Sequence, residues 1–195
     1  SVVFLSEREI GAVGSVVVPV LEGNRPLLVE IQALTNPTSF GLPRRTANGV
    51  DFGRLLLITA VLSRRIGLRL GNQDVIVNAT GGLKVKEPAA DLAAALAIVS
   101  SVKDLPLDAE TVAIGEVGLS GELRSVAYLD RRVNEAARIG FKRAIIPRSG
   151  TKNLIAPNGL ELLRASSVRE AIRLAWGDAK PERKEKPAEN VDGEE

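Results

Sequence analysis

Lys86-Glu87-Pro88-Ala89-Ala90-Asp91-Leu92-Ala93 is the stretch on which the reading of this chain turns. Pro88 suits the first turn of a helix, because the N–H it lacks would find no helical acceptor there anyway. Residues Ala89 to Val102 are rich in Ala and Leu, so the pattern predicts a helix packed closely against a sheet or another helix. The helix start contains no serine and offers no hydroxyl nucleophile. Upstream, Gly81 to Glu87 reads as a loop and Asp74 to Thr80 (DVIVNAT) as a short buried strand. Before that, Asp51 can cap a helix to about Arg65, with Leu55, Ile58, Leu62 and Ile66 at helical spacing and Gly67 ending it.

Further out, Val16 to Leu21 and Pro26 to Ile31 are β-branched-rich runs around Glu22-Gly23-Asn24-Arg25, which predicts a hairpin. Pro19 is expected only at an edge or bulge. Thr35 to Gly49, with the pair Arg44-Arg45, reads as a polar, turn-rich loop. Thr111 to Val117 and Ala144 to Pro147 are expected strands, and Leu129 to Ile139 and Val168 to Trp176 expected helices. In the first of these helices Leu129, Val133, Ala136 and Ala137 should face inward and Arg131, Arg132, Glu135 and Arg138 outward. The sum is an α+β domain, a mixed sheet covered mainly on one face.

The composition removes several chemistries. With no Cys and no His there are no disulfides, thiolate nucleophiles, imidazole bases or the usual zinc ligands. That composition is compatible with a cytoplasmic location. No apolar run approaches the roughly 20 residues that cross a bilayer, so no membrane partner is expected. Met is absent too, initiator included, which leads us to expect a fragment of a longer protein. The net charge of +2 is uneven: from Gly177 onward there are four Lys/Arg and seven Asp/Glu. Residues 177–195 lack apolar periodicity and are expected to form a disordered charged tail. The body is therefore basic, and Arg outnumbers Lys, which suits contacts to phosphate or carboxylate.

Several motifs occur together and in order: Gly14-Ser15-Val16-Val17-Val18-Pro19, Arg25-Pro26-Leu27-Leu28-Val29-Glu30-Ile31-Gln32-Ala33-Leu34, Pro43-Arg44-Arg45-Thr46-Ala47, Glu87-Pro88-Ala89-Ala90-Asp91-Leu92-Ala93, Gly115-Glu116-Val117-Gly118-Leu119-Ser120-Gly121-Glu122 and Gly140-Phe141-Lys142-Arg143-Ala144-Ile145-Ile146-Pro147. On these the chain resembles the C-terminal Lon-protease-like domain of the RadA (Sms) family of bacterial recombination proteins. The resemblance implies the fold shared with domain 2 of ribosomal protein S5, over residues 13–176. It also implies that residues 1–12 link this domain to an upstream RecA-like ATPase. ATP and Mg²⁺ would belong to that other domain, leaving no cofactor or metal here.

In active Lon proteases a Ser–Lys dyad carries the chemistry. By resemblance the serine position falls on Ala89 and the lysine position on Asp130. A methyl group cannot attack a carbonyl, and a carboxylate cannot replace a neutral amine base. The expectation is a catalytically inactive module. The resemblance implies instead a homo-hexameric ring, DNA binding, and a part in branch migration, homologous recombination and DNA repair. Arg44, Arg45, Lys84, Lys86 and Arg54 are the candidate DNA contacts, acting on the phosphate backbone with little base specificity. For each of them ordinary solvated surface is the competing reading, and for Arg54 an intrahelical or loop-anchoring role. Two enzyme readings compete. A peptidase using Ser120 or Ser125 lacks a defensible partner, and Ser120 in Leu-Ser-Gly-Glu reads as a turn residue. Gly81-Gly82-Leu83-Lys84 lacks phosphate-loop spacing. The alternative to DNA binding is a purely structural ring-forming scaffold.

Overall fold

In a computed structural model of the chain, the structure describes residues 5–177; the expected charged tail beyond Gly177 and the start of the expected linker lie outside them. The two-residue turn Gly23-Asn24 joins β1 (Ser15–Glu22) to β2 (Arg25–Pro37) in an antiparallel hairpin, with Gly23 at φ +61°. The chain continues through β3 (Arg45–Asn48), α1 (Phe52–Val61, extended by a π turn to Ile66) and β4 (Gln73–Ala79). A 3₁₀ turn, Pro88–Ala90, leads into α2 (Asp91–Lys103). Then follow β5 (Thr111–Ala113), the small hairpin β6 (Glu116–Val117) and β7 (Leu123–Arg124), and α3 (Leu129–Ile139). The described chain ends with β8 (Arg143–Pro147), β9 (Glu161–Ala165) and α4 (Val168–Trp176).

Seven strands form one sheet in the order β3-β4-β2-β1-β5-β8-β9. The pairs β1–β2 and β2–β4 are antiparallel; β3–β4, β1–β5, β5–β8 and β8–β9 are parallel. The mixed sheet with packed helices agrees with expectation, but the sheet is mostly parallel and is covered on both faces. Strand alternation shows why. Val16, Val18 and Val20 of β1 join Val29, Ile31, Val75 and Val77 in a core under α1, α2 and α4. Val17, Leu28, Val112, Ile114, Ala144 and Ile146 point the other way and pack under Leu129, Val133 and Ala136 of α3. Parallel strands are joined by crossovers that lay helices on both faces, so their residues are buried on either side.

The cover of the second face stops partway. On β2, β4 and β3 the residues facing away from α1 and α2 include Gln32, Leu34, Ile76 and Asn48, all exposed. There Asn48 Nδ2 donates to Asn78 Oδ1 at 2.7 Å, so the uncovered surface is partly a ladder of side-chain amides.

Pro19 lies within β1, a central strand. β5 is only three residues long and pairs with β1 at Val17, so β1 has no pairing with β5 at Pro19. The proline therefore occupies a local edge, the one condition under which a strand tolerates it. At the other end of β1, Gly14 (φ +78°) donates its N–H to Ser100 Oγ at 2.8 Å and accepts from Ala33 N–H at 2.8 Å. A Cβ there would run into the Ala33 carbonyl, so this close approach requires glycine.

Three local readings are corrected. Residues 35–49 are not one loop: β2 runs on to Pro37, and Arg45–Asn48 is an edge strand paired in parallel with β4. Its sequence gives little sign of a strand, because Ala47 is its single apolar side chain, packed half-buried against the core. β9, read into no element from sequence, is a short run with a single buried residue, Ala165. Arg132 faces inward on α3 instead of outward.

Candidate functional site at the start of helix α2

Helix α2 is almost wholly buried from Asp91 to Ser100, and its start is locked to the loop after β5. Gly115 N–H donates to the Ala89 carbonyl at 3.0 Å, and Leu92 N–H donates to the Gly115 carbonyl at 3.0 Å. This reciprocal pair satisfies a donor that the first turn of a helix leaves orphaned. The Ala89 methyl is buried in the second-face core with Leu28, Val112 and Ile114. Asp130 is exposed in the first turn of α3, where a carboxylate suits the positive end of the helix dipole.

Two ion pairs tie this helix start to its surroundings. Glu87 Oε1 accepts from Arg132 Nη1, and Arg132, only 3 % exposed, also donates to the Pro19 carbonyl at 3.0 Å and the Ala127 carbonyl at 2.9 Å. One guanidinium thus joins α3, β1 and the loop before α2. On the other side Asp91, 2 % exposed, accepts from Arg54 Nε at 3.1 Å, from Arg54 Nη2, and from Val117 N–H at 3.0 Å. Burial pushes the Asp91 carboxyl above its ordinary range, against the Arg54 guanidinium and the Val117 N–H that favour its ionised form. Arg54 follows Asp51, whose Oδ1 caps α1 by accepting Arg54 N–H at 2.8 Å.

The candidate cations divide by what they touch. Arg54 has Asp91. Arg45 donates from Nη2 to the Leu70 carbonyl at 2.9 Å and from Nη1 to the Gln73 carbonyl, which pins the edge strand to the turn before β4. Arg44, Lys84 and Lys86 are exposed, and none of them takes part in an ion pair among the described residues. Lys84 and Lys86 line a cleft of about 400 Å³ between the Leu83–Glu87 segment and the hairpin end of β1 and β2, with Glu22 and Glu87 also on its wall. Ser120 lies in a turn, with its N–H donating to Glu122 Oε1 at 3.1 Å. Among the described residues no Asp/Glu cluster suits a metal ion.

The loop carrying Arg44 is fastened by Asp74, whose Oδ1 accepts from Arg44 N–H at 2.8 Å and Thr38 Oγ1 at 3.0 Å. The Arg44 N–H bond, with further help from Thr38 and the Arg44 and Arg45 charges, holds the Asp74 carboxyl below its ordinary range. A depressed folded-state value means that this fastening is complete above the unfolded value of about 3.9 and is lost as pH falls through the folded one. The amide shift of Arg44, followed by NMR on acidification, should titrate with a midpoint below 3.9; a midpoint at or above it would contradict this.

Sequence reasoning missed both ion pairs, although each left a trace. Arg132 falls at the spacing of Leu129, Val133 and Ala136, so it lies on the apolar stripe of its helix. Asp91 is the single charge in an Ala/Leu-rich run. A charge where the period predicts burial calls for a buried partner.

The fold and site define a mixed α/β domain with a helix start cross-tied by buried ion pairs. The family described as subunit ChlI of Mg-chelatase matches residues 46–150, just over half the chain, and the chain belongs to that family. The chain is 49 % identical over 177 residues to the DNA repair protein RadA of Bacillus subtilis, covering 91 % of this chain and 39 % of that protein. It is 48 % identical over 178 residues to the RadA of Listeria monocytogenes, covering 91 % and 39 %. With the RadA of Streptococcus pneumoniae it shares 44 % over 173 residues, covering 89 % and 41 %. The chain spans about two fifths of the length of these relatives. Among the described residues no helix is long and apolar enough to cross a membrane.

Proposed function

We propose that this chain is a Lon-protease-like domain without proteolytic activity that serves assembly and DNA binding in a RadA-type recombination and repair ATPase of the cytoplasm. The observation that carries the reading is the identity of 44–49 % to proteins named DNA repair protein RadA over about nine tenths of the chain. The burial of the Ala89 methyl in the core supports the loss of peptidase chemistry. In this reading a RecA-like domain upstream hydrolyses ATP and drives branch migration, while this domain supplies the geometry of a homo-hexameric ring and a non-specific hold on DNA. Arg44, Lys84 and Lys86 would meet the phosphates. The intramolecular bonds of Arg45 and Arg54 favour a second reading, a ring scaffold that never touches DNA.

One preparation separates the two. Sizing should give a hexamer, and fluorescent duplex and single strands should bind with an affinity that falls steeply between about 50 and 200 mM salt. The triple variant Arg44→Glu, Lys84→Glu, Lys86→Glu should keep its fold and lose that binding. A hexamer with no binding at low salt selects the scaffold, and labelling of a serine by a fluorophosphonate would overturn both readings.

A further inference from the structure

Tyr128, just before α3, has a left-handed backbone, with φ 55° and ψ 39°. Among the described residues the other non-glycine in that region is Asp104, at the end of α2, and a short polar side chain tolerates the conformation. A bulky ring does not, and such strain persists only where the surroundings over-determine it. Here they do. Arg132 Nε donates to the Ala127 carbonyl at 2.9 Å, Arg132 N–H donates to the Tyr128 carbonyl at 3.3 Å, and Leu129 is buried in the second-face core. An aromatic side chain is thereby held at the surface, 54 % exposed. The guanidinium carbon of Arg131 lies over it, 4.9 Å from the ring centre.

This pair has a fixed place beside the candidate cations. The Arg132 guanidinium that holds the Ala127 carbonyl also meets Glu87, the residue after Lys86. Tyr128 is therefore a neighbour of the exposed Lys84 and Lys86, across one buried guanidinium. Glu87 is engaged by Arg132, and Glu135 by Arg138 at 2.7 Å. Asp130 and Arg131, adjacent in sequence, balance each other in charge. What this spot offers a ligand is a ring face and a guanidinium plane, with net positive charge supplied next to it by the two lysines. An unpaired strand can use both, its bases on the aromatic face and its phosphates on the cations.

On the DNA-binding reading, we propose that Tyr128 and Arg131 form a stacking site for one nucleobase of a single strand whose backbone runs past Lys84 and Lys86. The site favours single strands over duplex, because the base faces of a duplex are already stacked on one another. It does not read sequence, since every base has a face to stack.

The sequence contains one tyrosine, so fluorotyrosine gives the full chain a single fluorine NMR signal. A thymidine strand of about 12 nucleotides, titrated at about 50 mM salt, should shift that signal along the strand's own binding curve. A duplex of the same length should bind through its phosphates and leave the signal in place. Free AMP, which has no backbone to reach the lysines, should do neither. Tyr128→Gly removes the ring and suits the left-handed backbone, so the fold is kept. It should weaken strand binding about 5- to 150-fold, the worth of one base stacked on an aromatic ring, with duplex binding unchanged. Tyr128→Phe, which keeps the ring, should bind strands like the parent. Strand binding with an unmoved signal, an equal shift with duplex or AMP, or unchanged strand affinity in Tyr128→Gly would overturn the stacking site and leave the DNA-binding reading standing. Failure of strand and duplex alike to bind would overturn the two together.

Discussion

Replacing Arg132 by Met should lower stability by about 3–5 kcal/mol, the usual cost of deleting one partner of a buried ion pair. The side chain is only 3 % exposed, and its guanidinium serves Glu87 together with the carbonyls of Pro19 and Ala127. Met fills much of the volume but donates nothing, so three acceptors lose a partner at once. The Pro19 carbonyl matters most, because β1 has no β5 pairing at that point. Glu87 is 26 % exposed and can regain some water, which places the loss toward the lower part of the range. Arg132→Lys keeps the charge but cannot fork to three acceptors, and should recover only part of the loss. Urea unfolding measures each step. A midpoint unchanged in Arg132→Met would mean that these bonds contribute nothing net.

Asp91→Ala should have a comparable effect, again about 3–5 kcal/mol. It leaves Val117 N–H, a buried donor, without an acceptor and leaves the Arg54 guanidinium without its counter-charge. The double variant Arg54→Met, Asp91→Leu should be far less harmful than the sum of its single changes, because a buried pair replaced by apolar groups gives back its desolvation cost. The raised carboxyl of Asp91 shows that this cost is present. A cycle of the two singles and the double gives the coupling. Additive effects would show that Arg54 and Asp91 act independently despite their contact. Both variants also test the helix start as a unit: if Glu87–Arg132 and Asp91–Arg54 together hold Ala89 against Gly115, either loss should increase exchange of the Gly115 and Leu92 amides.

The elements that declared themselves in sequence are those with a strong period or strong punctuation. Asp51 before an apolar stripe, Pro88 before an alanine-rich run, and the turn around Gly23-Asn24 each specify local structure by backbone chemistry alone, and each stands where it was read. β3 and β9 did not declare themselves. One is four residues with Ala47 as its single apolar side chain and the other a short run with one buried side chain, and both owe their conformation to a neighbouring strand. The second covered face was hidden for a related reason: Ala144, Ile145 and Ile146 form a continuous apolar run, which does not reveal that alternate residues enter different cores. At the site, the absence of serine from the helix start was legible because it is a matter of residue identity. The partners of Arg132 and Asp91 were not, since each lies tens of residues away in sequence, at 45 and 37 positions respectively.

The partial cover of the sheet divides the molecule by its tolerance of change. Where α3 overlies β1, β5 and β8, successive residues of a strand enter opposite interiors, so polar replacement at any of them puts an unsatisfied group in a core. Across β4, β3 and the part of β2 from Gln32 onward, Gln32, Leu34, Ile76 and Asn48 meet water beside the Asn48–Asn78 amide pair. Surface redesign, labels or affinity handles therefore belong on that bare half, placed two residues apart.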